Sequence, residues 1–404
     1  MKVAIIGGGA AGFFSALSVK EHHPEAEVIL FEKSQELLSK VRISGGGRCN
    51  VTNALSSISA FSKSYPRGAK FLKKAFQIFN NQDSIQWFES RGVPLKVEPD
   101  GRMFPISNKS ESIVECLMNE AKKLGVQIEM GVSVGNIQPN QEQIEIDFIR
   151  GKEKPELFDR VIVASGGSPR RKGLEWLEEL GHQIEEPVPS LFTFNMPKED
   201  VVSLMGVSVQ DVAVSIQGSK YRSSGPLLIT HWGMSGPAIL KLSAFAAREL
   251  ALRHYTFKAQ ISWIGFINQE EVLAELQKKV TAEPTKTCLK AKPFDFPQRF
   301  WAYLLHRCNL PENQLWGELG KKKLDKLISV LSNDIYEVQG KTTFKEEFVT
   351  CGGLALTEVD ANMQSRRVSG LYFAGEILDI DGITGGFNFQ AAWTTGYIAG
   401  QLKS

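Results

Sequence analysis

Residues 40–53, KVRISGGGRCNVTN, place three glycines between a serine and an Arg-Cys-Asn triplet. Consecutive glycines are unfavourable inside helices and strands, because they lose much backbone entropy on folding. Their N–H groups can instead face an anion and form a phosphate cradle, to which Arg42 or Arg48 would add charge. Such a turn would also leave Cys49 accessible beside Arg48, which would lower the pKa of its thiol. A buried packing role is the alternative for Cys49, and a flexible linker is the alternative for the whole segment.

A second glycine-rich turn, near the N-terminus, predicts dinucleotide binding. The apolar residues 3–6 are typical of a strand buried on both faces, and Gly7, Gly9 and Gly12 then supply G-x-G-x-x-G before a helical pattern. These glycines permit the tight turn, the approach of a pyrophosphate and the packing of helix on strand. The next predicted strand ends at Glu32, which is 20 residues beyond Gly12. An acidic side chain there accepts from the adenosine ribose and disfavours a 2′-phosphate, which leaves FAD or NAD.

The C-terminal segment again contains a strand, a glycine loop and a helix. Residues 371–374 are typical of a buried strand, and the glycine pair 385–386 precedes the last helix. FAD enzymes of the glutathione-reductase type return this end of the chain to the cofactor. A carboxylate binds the ribityl chain, and the final helix directs its N-terminus at the flavin ring that carries negative charge when reduced. Glu376 or Asp379 is the candidate ribityl ligand, and a surface loop is the alternative for the segment.

A third apolar strand, residues 161–164, ends in small residues that would let the chain pass close to the cofactor. Val134 is expected near the adenine. No metal site is predicted, because the five cysteines are scattered without a C-x-x-C pair. The predicted cofactor-binding residues are Gly7, Gly9, Ala10, Ala11, Gly12, Glu32, Lys33, Lys40, Arg42, Ser44, Gly45, Gly46, Gly47, Arg48, Cys49, Asn50, Thr52, Val134, Ala164, Gly166, Gly167, Gly375, Glu376, Asp379, Gly385, Gly386, Phe387 and Asn388.

Five motifs carry a resemblance to a known family. They are IIGGGAAG at 5–12, KVRISGGGRCNVTN at 40–53, GRMFP at 101–105, HWGMSGPAIL at 231–240 and LYFAGEILDIDGITGGFNFQAAWTTG at 371–396. On these motifs the chain resembles the BaiN/RdsA family of NAD(P)/FAD-dependent oxidoreductases, bacterial flavoproteins of the YhiN-like group. The resemblance implies tightly bound FAD. Members have been linked to reduction of activated C=C bonds in steroid-like acids and in uridine of ribosomal RNA, and one group resembles amine oxidases.

The resemblance also implies the fold class. We expect an α/β protein whose Rossmann-like FAD-binding domain, of the glutathione-reductase type, is split by an inserted β-rich, barrel-like domain with a small helical subdomain. The FAD-binding domain is expected to comprise residues 1–190 and 345–404. The inserted domain is expected over 191–344, with β structure over 191–265 and helices over about 266–335.

Local patterns predict several elements of the first domain. Residues 69–79 and 113–124 have helical patterns, and Gly125 is a suitable C-terminal cap for the second. Residues 97–104 are typical of a hairpin that turns at Pro-Asp-Gly. Residues 344–356 are expected to lead back into the FAD-binding domain.

Cys49 and His231 are the candidates for the proton that accompanies hydride transfer from a flavin. A histidine held in a strand-to-helix turn is the alternative for His231. Basic clusters occur at Lys70, Lys73 and Lys74, at residues 170–172 and at residues 321–323. Most such clusters are solvated faces, but an RNA substrate would need some of them.

Composition restricts the partners and the location. The chain has 47 basic and 45 acidic residues, and its net charge of +2 is too small to indicate nucleic acid or a membrane by itself. Its start leaves no room for a signal peptide, and its apolar runs are too short to cross a bilayer. We therefore expect a cytoplasmic protein with a small-molecule substrate, with RNA as the alternative partner, and no membrane partner. The sequence does not determine the oligomeric state.

The favoured function is an FAD-dependent oxidoreductase that passes hydride from reduced flavin to an activated C=C bond. The alternatives are a dihydrouridine-forming reductase of ribosomal RNA, a flavin amine oxidase and a non-catalytic flavoprotein redox sensor. The chain contains no second G-x-G-x-x-G for a nicotinamide dinucleotide. NADH or NADPH would therefore act as a transient electron donor.

Overall fold

The computed structural model describes residues 1–342 and 349–403 of the chain, and these form two compact units. The first unit contains residues 1–190 and 349–403, and the second contains residues 191–342. The predicted domain boundary at 344 and the first part of the predicted return over 344–356 lie outside the described residues. Within the described ranges, no helix is both long enough and apolar enough to cross a bilayer.

The strands are numbered in chain order. They are β1 Lys2–Ile6, β2 Glu27–Glu32, β3 Thr52–Asn53, β4 Leu95–Val97, β5 Arg102–Pro105, β6 Gln127–Met130, β7 Ser133–Asn140, β8 Gln143–Arg150, β9 Glu156–Phe158, β10 Arg160–Val163, β11 Ile184–Ser190, β12 Thr193–Asn195, β13 Ser208–Ile216, β14 Arg222–Thr230, β15 Gly233–Ser235, β16 Thr256–Ser262, β17 Asp334–Gln339, β18 Lys341–Thr342, β19 Val349–Leu354 and β20 Leu371–Phe373.

The α-helices are numbered in the same way. They are α1 Ala10–His22, α2 Ser39–Gly47, α3 Ile58–Ser62, α4 Ala69–Ala75, α5 Asn81–Glu89, α6 Glu111–Lys123, α7 Glu175–Glu179, α8 Pro237–Phe245, α9 Ala247–Leu252, α10 Gln269–Ala282, α11 Gln298–Arg307, α12 Lys321–Ser332 and α13 Phe387–Gly400.

The first unit is built on a parallel sheet with the strand order β20-β10-β1-β2-β6. Val3, Ala4 and Ile5 of the central strand β1 are fully buried, as expected of a strand covered on both faces. At one edge Tyr372 of β20 lies beside Ile162 of β10, so the two ends of the chain contribute to one sheet. The predicted α/β fold with a Rossmann-type sheet is confirmed.

Helices α1 and α13 pack closely through small residues. A Cβ added at Gly396 would lie 2.6 Å from the carbonyl oxygen of Ala11, and one added at Gly400 would lie 2.6 Å from that of Ser15. The Ser18 hydroxyl also donates to the carbonyl oxygen of Tyr397 at 2.7 Å. The helix that follows the N-terminal glycine turn is thereby fastened to the last helix of the chain.

Most local predictions in the first unit are confirmed. Helix α6 covers the predicted helix at 113–124, and Gly125 has the left-handed φ of a C-terminal cap. Strands β4 and β5 form the predicted hairpin. The helix predicted at 69–79 is shorter, because α4 ends at Ala75 and turns follow it.

The second unit contains an antiparallel sheet with the strand order β17-β16-β13-β14-β15-β12-β18. The strands at its two edges, β17 and β18, are consecutive in the chain and are separated by Gly340 alone. One continuous run of chain therefore pairs with β16 through β17 and with β12 through β18, so the sheet curls into a barrel-like shape. Helices α8 to α12 also belong to this unit, whose core includes the buried rings of Trp263, Trp301 and Trp316.

Candidate functional site

The turn between β1 and α1 depends on the absence of side chains at two of its glycines. A Cβ at Gly7, which has a φ of +113°, would lie 2.4 Å from the carbonyl oxygen of Ala164. A Cβ at Gly12 would lie 1.9 Å from the carbonyl oxygen of Gly7. Gly9, which precedes the first residue of α1, has nothing within 4 Å of a Cβ position. The start of the helix is therefore open, with space for an anion against its first N–H groups.

The Glu32 carboxylate lies at the end of β2 and contacts this turn. Its oxygens accept from the N–H of Gly8 at 2.8 Å and from the N–H of Ser34 at 2.8 Å. A carboxylate has about four acceptor positions, so Glu32 keeps capacity for the ribose contacts that the sequence predicts. Lys33 is exposed beside it, and Val134 lies half-buried in β7.

The segment 40–53 forms a structured turn. Helix α2 is interrupted where Ser44 has extended ψ (150°), and Gly45 and Gly46 follow with left-handed φ values of 58° and 69°. Gly47 also has a positive φ, and neither Gly46 nor Gly47 has an atom within 4 Å of a Cβ position. The backbone of this turn is therefore uncovered at Gly46 and Gly47, which leaves space for the anion that the sequence predicts here.

The two arginines of this segment are already paired with carboxylates. Arg42 forms an ion pair with Glu111. Arg48 contacts Glu98 at 2.7 Å, and its guanidinium lies 4.0 Å from the centre of the Phe104 ring. Each arginine therefore already has a carboxylate partner, and its contribution of positive charge to a phosphate stays a prediction.

The expectation of an accessible, acidic Cys49 is also wrong. Its side chain is fully buried, and burial raises the pKa of the thiol to about 12, against a smaller lowering by a hydrogen bond with Ser44. The hydrogen bond with Ser44, not the neighbouring Arg48, is what lowers this pKa, and the Arg48 guanidinium pairs with Glu98. The structure agrees with the alternative role, a small packing residue.

We expect Ellman's reagent to react with no cysteine of the native protein and with five after unfolding in denaturant. All five thiols are buried, and a buried thiol has no access to the reagent. The measurement is thionitrobenzoate release with and without denaturant. Rapid release from the native protein that disappears in Cys49→Ser would restore an accessible Cys49.

The residues after Cys49 connect this segment to the start of α13. With the Asn50 amide oriented so that both its polar atoms are satisfied, its oxygen accepts from the Gly386 N–H at 2.9 Å. Asn53 donates to the carbonyl oxygen of Gly385 at 3.2 Å, and Thr52 donates to the Gln390 side chain at 2.7 Å. The two longest predicted motifs are thus brought into direct contact.

Glycine is required where these motifs meet. A Cβ at Gly386, which has a φ of +89°, would lie 2.4 Å from the carbonyl oxygen of Thr52. Gly386 immediately precedes Phe387, the first residue of α13. Asn388 folds back on the loop, accepting from the N–H of Gly382 at 2.8 Å and donating to its carbonyl oxygen at 3.0 Å.

The two candidate ribityl ligands differ in exposure. Asp379 is buried and accepts from the N–H of Gly352 at 3.0 Å. The Glu376 side chain is 21% exposed and accepts from Lys40 at 2.8 Å. A Cβ at Gly167 would lie 2.6 Å from a Glu376 carboxylate oxygen, whereas Gly166 faces open space. Glu376 is therefore the more accessible of the two carboxylates.

The first turn of α1 lies beside Gly375, the residue before Glu376. A Cβ at Gly375 would lie 2.7 Å from the Cβ of Ala11, and the Gly375 N–H donates to the Thr395 hydroxyl at 2.8 Å. The first unit thus brings the predicted phosphate loops, Glu376 and the start of α13 together. The adjacent Ala10 is half-buried at the start of α1.

His231 belongs to the second unit. It is exposed in the turn between β14 and β15, with its ring centre 4.0 Å from that of Trp232. It lines a cleft of about 620 Å³ with residues 197–200, 202, 203 and 205 of the same unit. The described contacts of His231 provide no test of its predicted proton-transfer role.

The sequence did not lead us to one charged residue of the C-terminal loop, Asp381. Asp381 is fully buried, forms a bidentate pair with Arg67 and accepts from the Ser190 hydroxyl at 2.5 Å. Burial raises the pKa of Asp381 to about 6, and the opposing influence of Arg67 is smaller. The signal for a buried charge was present in the sequence, because Asp381 lies two residues from Asp379 inside an apolar segment.

One family model and two kinds of curated protein are similar to this chain. A family model described as HI0933-like protein Rossmann domain matches residues 1–402. A 3-dehydro-bile acid delta(4,6)-reductase from Clostridium scindens is 27% identical over 100% of this chain and 99% of its own. A ribosomal RNA dihydrouridine synthase from Escherichia coli is 28% identical over 98% of this chain and 96% of its own. The predicted family resemblance is confirmed.

Two solved structures share the fold. One is a 3-ketosteroid delta1-dehydrogenase from Sterolibacterium denitrificans, with a TM-score of 0.52, 11% identity and 98% coverage of each chain. The other is a 3-ketosteroid-delta4-(5alpha)-dehydrogenase from Rhodococcus jostii, with a TM-score of 0.51 and 13% identity, covering 100% of this chain and 96% of its own.

Proposed function

The chain belongs to the HI0933-like family of Rossmann-domain proteins, and from this premise we propose that it is an FAD-dependent oxidoreductase that reduces an activated C=C bond. FAD, when bound, supplies the hydride. The observation that carries the proposal is the contact between residues 50–53 and the loop before α13, in which Asn53 donates to the carbonyl oxygen of Gly385 at 3.2 Å. An NAD enzyme of the simple Rossmann type has no need for this connection.

The residues of the first unit fit the cofactor. Gly9, Gly46 and Gly166 face open space, so their backbones are free of side chains that would exclude a pyrophosphate. The start of α13 would offer N–H groups and a positive helix end to the flavin ring, and Glu376 would accept from the ribityl hydroxyls. We propose the full set of cofactor-binding residues predicted from the sequence, with Cys49 contributing shape rather than charge.

The relatives support the reaction type. The name of the bile acid enzyme places double bonds in conjugation with a 3-oxo group, and dihydrouridine is uridine hydrogenated at a double bond conjugated with a carbonyl. Both names describe adding two hydrogens to a C=C bond that a carbonyl activates. We propose the same class of bond for this chain, in a small molecule and with NADH or NADPH as a transient donor.

A second candidate is reduction of uridine in ribosomal RNA, as the name of the Escherichia coli relative describes. Exposed lysines in the first unit favour it. The five free cysteines support a reducing, cytoplasmic location for either reaction.

The experiment measures flavin and turnover separately. Protein purified and then denatured is expected to release FAD, and the native flavin is expected to be reduced anaerobically by NADH or NADPH. Reoxidation by a conjugated enone, rather than by oxygen with peroxide release, would identify a reductase. Colourless protein that cannot bind added FAD would refute the proposal, and peroxide formed with amines would indicate an oxidase.

A further inference from the structure

The first unit contains a long segment without acidic residues. Residues 37–82 include eight lysines and arginines and no aspartate or glutamate. With 45 acidic residues in 404, the chain's average would place about five in a segment of 46. The net charge of this segment alone is +8, whereas that of the whole chain is +2.

Half of this charge is compensated by carboxylates from elsewhere in the chain. The pairs are Lys40 with Glu376, Arg42 with Glu111, Arg48 with Glu98 and Arg67 with Asp381. The uncompensated half consists of four exposed lysines, which form no ion pair with any of the described residues: Lys63, Lys70, Lys73 and Lys74. We call these four residues the lysine surface.

Three of the four lysines lie on one helix. Lys70, Lys73 and Lys74 are spaced i, i+3 and i+4 in α4, so their side chains project from neighbouring positions. Leu72 and Ala75 are buried on the other side of the helix and fix its orientation. A row of closely spaced ammonium groups without counter-charges is suited to a chain of phosphates and is unfavourable unless anions approach it.

The lysine surface adjoins the loop that leads into α13. The Ile383 N–H donates to the carbonyl oxygen of Ser64 at 2.9 Å, and the Tyr65 hydroxyl donates to that of Phe387 at 2.7 Å. A Cβ at Gly68 would lie 2.7 Å from Ile380. Residues 64–68, which connect Lys63 to α4, therefore lie against the loop that leads into α13, whose start the proposed function places at the flavin.

We propose that the lysine surface binds the phosphodiester backbone of single-stranded RNA and so brings a base to the flavin site. The proposal rests on the proposed function through its second candidate, since a reducible base must lie at the flavin. A polyanion with regularly spaced charges matches the row on α4 better than an isolated carboxylate does. Binding through phosphates is independent of sequence and weakens steeply with salt.

The test uses the full-length, flavin-loaded protein and a 3′-labelled oligo(U) of about 20 nucleotides as the probe. Lys70→Glu/Lys74→Glu is expected to weaken RNA binding at least tenfold at about 0.1 M salt. The slope of log K against log salt is expected to become shallower by about 1.4, since each phosphate contact to a single strand contributes about 0.7. Glutamate is a good helix former, so α4 is expected to persist.

The matched control is Lys321→Glu/Lys322→Glu, which makes the same charge change at exposed positions of α12 in the second unit. It is expected to bind RNA within about twofold of the wild type, which would separate a local contact from an effect of net charge. Equal loss in both double variants would overturn the proposal. So would a wild type that binds vesicles of anionic lipid or a polyglutamate peptide but not the RNA.

The flavin content and the rate of reduction by NADH and NADPH are measured on the same preparations. Both are expected to be unchanged in Lys70→Glu/Lys74→Glu. Protein without flavin would refute the proposed function, whereas flavin-loaded protein that fails to bind RNA would refute the lysine surface and leave the reductase with a small-molecule substrate standing.

Discussion

Replacing Gly12 with alanine is expected to destabilise the protein by about 3 kcal/mol and to abolish FAD retention. The added methyl group would lie 1.9 Å from the carbonyl oxygen of Gly7, and neither backbone segment can move without opening the turn between β1 and α1. Overpacking in a rigid interior costs about 1–3 kcal/mol, and a clash with backbone belongs at the upper end. Denaturant unfolding and the flavin content after gel filtration measure the two effects.

Gly9→Ala is the matched control in the same turn. Gly9 has an ordinary φ of −93°, and no atom lies within 4 Å of the added Cβ, so unfolding free energy is expected to change by about 1 kcal/mol or less. The methyl group would nevertheless occupy the space through which a pyrophosphate approaches the helix. Flavin affinity is therefore expected to fall at least tenfold. Wild-type flavin affinity in Gly9→Ala, or wild-type stability in Gly12→Ala, would contradict this account of the turn.

Local chemistry made the glycine turns and the hairpin predictable. The buried strand, the G-x-G-x-x-G spacing and the Pro-Asp-Gly turn each depend on residues that are close in sequence. The shortness of α4 was less predictable, because the helical pattern of the sequence continues past Ala75, where hydrogen-bonded turns replace the helix. The barrel-like curl of the second unit also depends on which distant strands pair.

The partners of charged side chains were not predictable. Arg48 is next to Cys49 in sequence, which suggested a lowered thiol pKa, but the folded chain directs the guanidinium to Glu98 and buries the thiol. Likewise, nothing in the local sequence connects Arg67 with Asp381, which are 314 residues apart. Pairings of this kind arise only once the sheet has placed both ends of the chain in one unit.

Replacing Asp381 with alanine is expected to destabilise the first unit by about 3–5 kcal/mol near neutral pH. The variant removes the carboxylate that pairs with Arg67, whose side chain is only 10% exposed, and so breaks a largely buried ion pair by deleting one member. It also leaves the Ser190 hydroxyl without its acceptor. Denaturant unfolding monitored by tryptophan fluorescence measures the loss, and a change below about 1 kcal/mol would contradict it.

Asp381→Asn is the control that keeps the shape and an acceptor oxygen but does not titrate. Because burial raises the pKa of Asp381 from 3.8 to about 6, the folded protein binds its proton more tightly than the unfolded chain does. This tighter binding of the proton contributes about 3 kcal/mol to the free energy of unfolding. The contribution is fully present below about pH 4 and is lost as the pH rises through 6. Over this window the wild type is therefore expected to lose about 3 kcal/mol relative to Asp381→Asn. The contrary result is a difference in unfolding free energy between the two proteins that stays constant from pH 4 to pH 7. It would show that the carboxylate is ionised throughout this range and that Arg67 compensates the full cost of burying it.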